Sequence, residues 1–199
     1  MASAPINWGI MDPGDPVNPD PDELLATVRD SGYVGCELGP LGYFGSSGAE
    51  IADRFATNGL APVAIWMEMP LDRSLDDEIA DQVGSVCLLL AEIGATHLIV
   101  SDLITHDRLK VVGRVEQFPE TWWNDDQWPQ VRQTLAAIAE IAAERNLTTA
   151  VHPHVGGHIE SGREVHRLLE IMDGTTLTLC IDTGHIRIGG IDAIHVLDS

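Results

Sequence analysis

A chain of 199 residues, 44% of them hydrophobic, is long enough to bury one core and too apolar for disorder. Asp and Glu number 31 against 11 Lys and Arg, a formal charge of -20, with Lys110 the sole lysine. Such a surface repels phosphate backbones and anionic lipid, so neither nucleic acid nor membrane is an expected partner.

Along the chain, "INWGIM" (6–11) reads as a first strand, closed by the turn-rich "DPGDPVNPDP". A helix follows, with Asp20 as cap, Pro21 in the first position and Gly32 at the end. "YVGCELG" (33–39) is a second strand, "GAEIADRFATNGL" a helix and "APVAIWMEM" (61–69) a third strand. The helix "SLDDEIADQVGSVCLLLAEIGA" has Ser74 and Asp77 at capping-box positions. "THLIVSD" (96–102) is a fourth strand. Residues 103–124 lack a period, hold Trp122 and Trp123, and read as a functional loop or lid. Helical spacing returns over "DDQWPQVRQTLAAIAEIAAERN", then a fifth strand, "LTTAVHPH" (147–154), the helix "SGREVHRLLEIMDG" and a sixth strand, "LTLCIDTGH" (177–185). "GGIDAIHVLDS" starts another helix.

Strands alternating with helices in this way mean a parallel sheet with crossover helices, either an open doubly wound sheet or part of a (β/α)8 barrel. No G-x-G-x-x-G follows the first strand and no G-x-x-x-x-G-K-[ST] occurs, which lowers nucleotide-binding versions. G-x-S-x-G and H-E-x-x-H are also absent. Cys36, Cys87 and Cys180 show no C-x-x-C spacing, and the first residues lack the basic start and apolar core of a signal peptide. An intracellular, cytoplasmic setting is expected.

Polar residues gather at the C-terminal ends of the strands: Glu37, Glu68, Asp102, the pair His152 and His154, then Asp182 and His185. In a parallel barrel those ends open on one face, where active sites are built. His152 and His154 are two apart and point the same way, so His152 can meet Asp182 of the next strand. Imidazole with carboxylate suits zinc, manganese, cobalt or ferrous iron, and His154 or His185 completes the shell or holds a substrate oxygen. The competing reading is that these are hydrogen-bonded structural groups. His158, after Gly156-Gly157, reads as a surface residue in a mobile turn.

"WGIMDPGDPVNP", "GYVGCELGPLGYFG", "AVHPHVGGHIES" and "LCIDTGHIRIGG", in that order, resemble the xylose isomerase-like barrel superfamily, and most of all its inosose dehydratase-type members. The resemblance implies a TIM-type barrel over 1–199, truncated after about six βα units where a complete one runs to ~250 residues. It implies a divalent metal (manganese, cobalt, zinc or magnesium) on His152 and Asp182. It implies substrate contact at His185, and hydroxyl-binding acids at Glu37 and Glu160. His154 is a proton carrier, and His154 and His185 form the catalytic pair. "IDAIHVLDS" does not match the family's seventh strand, so His195 is not assigned as a further ligand.

The expected activity is metal-dependent chemistry alpha to the carbonyl of a small polyhydroxy ketone or inosose: isomerisation, epimerisation or dehydration. The alternative is a truncated, non-catalytic barrel that binds a polyol or a partner chain, with a homo-oligomer covering its open edges. A nuclease, also suggested by the superfamily, conflicts with the net charge of -20.

Overall fold

The structure is a computed structural model that describes Met1–Leu197; the side chains of His195 and Leu197 lie outside the described residues. The chain folds into two compact units interleaved along the sequence. One comprises Met1–Trp66, Asp81–Leu98 and Ala142–Leu147; the other comprises Met67–Ala80, Ile99–Ile141 and Thr148 onward.

The first unit begins with β1 (Ala2–Ser3), not at the expected 6–11. Residues Pro5–Trp8 instead curl into a 3-10 turn, with Pro5 at its start and Gly9 in the left-handed region at φ 82° at its end. That proline has no N–H for a ladder, which favours a turn over a strand. Helix α1 (Pro21–Asp30) starts where expected, the Asp20 side chain accepting from the Asp22 amide. It buries Leu24, Leu25 and Val28 on one stripe. β2 (Gly35–Cys36), α2 (Gly48–Thr57) and β3 (Ala61–Pro62) follow. The sheet order is β1-β2-β3, all parallel, with Gly35 opposite both Ala2 and Ala61. Phe44 and Phe55 pack edge-on at 5.0 Å, and Arg54 ties the helices by reaching Asp22 at 2.7 Å.

The expected strand 61–69 is broken at Val63 into β3 and β4 (Ala64–Met69). The Val63 amide donates to Cys36 while its carbonyl accepts from Thr96 and His97, so the chain changes sheets at that residue. Helix α3 (Asp77–Glu92) is capped by Asp76, whose carboxylate accepts from the Ile79 amide, rather than by Ser74. β5 (His97–Asp102) comes next. Residues 103–124 are more ordered than their sequence suggests: α4 (His106–Leu109) and two 3-10 turns, Val115–Gln117 and Pro119–Thr121, occupy them.

The chain continues with α5 (Trp128–Ala143), whose last two residues belong to the first unit, and then, in the second, β6 (Thr148–Val151), α6 (Gly162–Met172), β7 (Thr178–Leu179), α7 (Thr183–Ile188) and α8 (Ala193–Leu197). The second sheet has the order β4-β5-β6-β7, and β6 and β7 are parallel, Ala150 opposite Thr178. The last strand is much shorter than 177–185 because Asp182 starts α7. Val165, Leu168, Ile171 and Met172 form the buried stripe of α6. Among the described residues no helix is long and apolar enough to cross a membrane.

Candidate functional site

The sequence "VHPHVGG" leaves β6 in extended form, and the His152 amide donates to the Val100 carbonyl of β5. His152 and His154 therefore project to one side, as alternation requires. Their rings meet at 5.4 Å. His185, in the first turn of α7, joins them: its ring lies 5.4 Å from that of His152 and 3.9 Å from that of His154. The ligand atoms of His152, His154 and His185 lie within 4.8 Å of one another, the one such metal-competent group among the described residues.

Local bonds set the state of each ring. The Nδ1 of His152 donates to the Cys180 carbonyl at 2.9 Å, and the Nδ1 of His154 to the Val155 carbonyl at 2.7 Å. A carbonyl only accepts, so Nδ1 carries a proton in both rings, and the neutral tautomer of each is the one with its lone pair on Nε2. Burial lowers the pKa of His152, against a smaller upward pull from the Cys180 carbonyl. Burial, then His154, lowers His185 to about 4. Neutral imidazole is the form that binds metal.

His185 adds a further sign. Its Nδ1 is buried and has no hydrogen-bond partner among the described residues. A buried polar atom without a partner is costly, and a cation among the three nitrogens removes that cost. The donor set fits a borderline divalent ion such as zinc or cobalt better than magnesium, which prefers oxygen.

Asp182 is not in that trio. One carboxylate oxygen caps α7, accepting from the Gly184 amide at 2.6 Å and the His185 amide at 3.1 Å. The other lies 4.0 Å from His185 Nε2. Burial pushes its carboxyl up, but the two amides and the neighbouring imidazoles outweigh this and leave it below the ordinary range. It orients His185 and contributes negative potential.

Glu160, expected on a substrate hydroxyl, has a different set of partners. It is 1% exposed, and its two oxygens accept from Gly113 at 2.7 Å and Gly156 at 2.8 Å. It braces the 103–124 segment against the histidine turn. Gly189, which ends α7, presses on the Glu160 carbonyl so closely that no Cβ fits there. Beside it, Arg108 (1% exposed) makes a bidentate pair with Glu164 at 2.9 and 2.8 Å and donates to the Gly157 carbonyl at 2.7 Å. Glu164 also accepts from the Glu160 and Ser161 amides. The S-x-x-E spacing of Ser161 and Glu164 is a legible capping signal; Arg108 has none.

Glu37 belongs to the first unit. Its carboxylate has no hydrogen-bond or ion-pair partner among the described residues, and burial pushes its pKa up to about 6. Glu68 is also raised by burial, partly offset by His154, with Asp102 adding to the rise.

Two residues are less exposed than their loop setting suggests. Trp123 is 7% exposed and packs edge-on against Trp128 at 5.3 Å. His158 is not a loose surface residue: its Nδ1 donates to Asp102 at 2.7 Å, and its ring stacks on Trp123 at 4.9 Å and 8°.

A parallel α/β chain with histidines clustered at strand ends is the TIM-barrel class of site. Residues 19–196 match the family model for the xylose isomerase-like TIM barrel, and the chain belongs to that family. It is 25% identical to an inosose dehydratase of Geobacillus thermodenitrificans over its full length, spanning 66% of that relative. It is 27% identical to the rhizopine catabolism protein MocC of Rhizobium meliloti, covering 98% of this chain and 58% of MocC. The chain thus spans about two thirds or less of the curated relatives it matches. In fold it is similar to the IOLI protein crystallised with a zinc atom, with TM-score 0.72 at 13% identity over 100% of this chain and 67% of that one. It is also similar to an L-ribulose 3-epimerase, with TM-score 0.68 at 20% identity over 96% and 63%.

Proposed function

We propose that this chain carries the metal-binding part of a divalent-metal-dependent enzyme acting alpha to the carbonyl of a small polyhydroxy ketone or inosose, of the isomerase, epimerase or inosose dehydratase type. The observation that carries this reading is the convergence of three imidazoles, His152, His154 and His185, on one point. The chain's similarity in fold to the zinc-containing neighbour and in sequence to the inosose dehydratase relatives supports it.

His152, His154 and His185 hold the ion. When bound, it supplies a positive charge that stabilises the oxyanion developing as the proton alpha to a carbonyl is removed. The Cys180 and Val155 carbonyls keep the first two imidazoles in the tautomer that offers Nε2. Asp182 holds α7, and with it His185, in place through its two amide bonds. Glu160 holds the histidine turn and is a positioning residue. For Glu37 the proposed role is a hydroxyl contact, supported by a carboxyl that has no side-chain partner among the described residues.

A second reading, binding of a polyol or partner without turnover, draws on one observation. Asp182 and Glu160, two carboxylates the resemblance gives to metal and substrate, are engaged by backbone amides. Metal titration of the metal-free protein tests the first step of both. Zinc or cobalt is expected to bind one to one, with His152→Ala and His185→Ala each weakening binding more than roughly 100-fold. Wild-type protein that takes up neither ion removes the metal reading. Metal-loaded protein that binds an inosose or ketose but leaves it unchanged selects the second reading over the first.

A further inference from the structure

We propose that His158, oriented by Asp102, is the proton-transfer group of the reaction. This rests on the sugar chemistry proposed above and adds a residue to it. If His152, His154 and His185 give their lone pairs to an ion, none of them is available to carry a proton. His158 is a separate imidazole, fixed in three ways. Its backbone amide donates to Asp102 Oδ2 at 3.1 Å, its Nδ1 donates to the same oxygen at 2.7 Å, and its ring lies flat on Trp123. Trp123 is in turn held by Trp128. Asp102 is 4% exposed, and its other oxygen accepts from the Leu71 amide.

With Nδ1–H committed to a carboxylate, the neutral ring has its lone pair on Nε2. Nε2 has no partner among the described residues, and the side chain keeps 22% exposure. An imidazole fixed by a buried carboxylate, with its second nitrogen open, has the arrangement of a general base. Its position suits the task. The turn after His154 folds back through the Gly157 amide, which donates to the His154 carbonyl. That return brings His158 to the end of β5, and β5 is bonded to β6 just where His152 leaves it. Both imidazole groups therefore stand at the same ends of neighbouring strands. Gly157 joins the two, its position 3.4 Å, at the Cβ site, from the carbonyl oxygens of both Asp102 and His154.

The proton transfer balances as follows. The C–H bond alpha to the carbonyl breaks, its electron pair forms a C=C bond, and the carbonyl π pair moves to oxygen. Nε2 takes the proton. In an epimerisation solvent water on the opposite face returns a proton to the same carbon, and Nε2 gives its proton back to solvent. In a dehydration the oxyanion reforms the carbonyl and the β-hydroxyl departs with the proton from Nε2, as water.

The test uses the full chain loaded with zinc or cobalt, with an inosose and a ketohexose as probes in deuterated water. Proton NMR follows loss of the signal alpha to the carbonyl, and nitrogen-15 NMR reads the His158 tautomer. His158→Gln is expected to slow exchange by roughly 100-fold or more with KM changed less than threefold. His158→Phe, which keeps a flat ring on Trp123, carries the test if the glutamine variant does not fold. Asp102→Asn is expected to shift the tautomer population and slow exchange, with metal uptake unchanged. The assignment is overturned if either His158 variant exchanges within threefold of wild type, or if Nε2 carries the proton in the wild-type protein. Wild-type protein inert towards both probes overturns the sugar chemistry, and this assignment with it.

Discussion

In the first unit the carboxyl of Glu37 is withdrawn from water just past β2 with no bonding partner among the described residues. In the second unit Glu160 is more deeply buried, yet each of its oxygens rests on a backbone amide. Burial without donors raises the carboxyl pKa of Glu37 to about 6. Burial with donors makes the carboxylate a structural brace. The contrast teaches that the number of partners, not the position after a strand, separates an acid left for chemistry from one spent on the fold. Glu164 extends the second case, with its carboxylate shared by Arg108 and two amides.

The largest effect expected from this contrast is at Glu164. Glu164→Ala leaves the Arg108 guanidinium buried without its carboxylate. Breaking one partner of such a pair costs about 3–5 kcal/mol, read by urea unfolding. A loss under about 1 kcal/mol, the range of surface pairs, means water reaches the guanidinium and the brace is weaker than its geometry suggests. Glu160→Gln comes next. The carboxamide oxygen serves one of the two amides, while its NH2 faces the other N–H. An unsatisfied buried donor costs about 1–3 kcal/mol, and faster hydrogen exchange at Gly113 and Gly156 is expected with it. Equal destabilisation by Glu37→Gln breaks the comparison.

How far these roles were legible depends on how far apart the partners lie in sequence. The same-side projection of His152 and His154 follows from strand alternation, and the rings do meet. The alternation of strands and helices and the resemblance point to the barrel family that the match over 19–196 establishes. Asp182 takes a capping role for a local reason: in D-T-G-H a short acid one residue before a helix prefers the amides of the first turn. That turn swings His185 toward His152 and His154. Nothing near Glu160 announces Gly113, 47 residues away, and nothing near His158 announces Asp102, 56 residues away. Those pairings exist only once β5, β6 and the 103–124 segment pack together. The first strand lies earlier than the apolar run 6–11 because Pro5, just before that run, starts a 3-10 turn that takes up its first residues.

The smallest effect, and the one that sharpens the contrast most, is at Glu37 itself. Its pKa rises from 4.5 to about 6 on folding. Between those values the folded state holds the proton more tightly than the unfolded state, so stability falls as pH rises through that window. Above the folded value both states are ionised and the loss is complete. Below the unfolded value both are protonated and Glu37 has no cost. Glutamine cannot ionise, so Glu37→Gln is expected to raise stability by about 1 kcal/mol at pH 8, with a ceiling of about 2 kcal/mol set by the full shift. The gain fades across the window and is absent at pH 4. Thermal melts of both proteins at pH 4, 5.5 and 8 check this. A gain independent of pH points to better packing of the amide and not to relief of a buried charge. A loss at pH 8 means the carboxylate has a partner in solution, which moves Glu37 into the class of Glu160 and ends its candidacy as a hydroxyl-binding group.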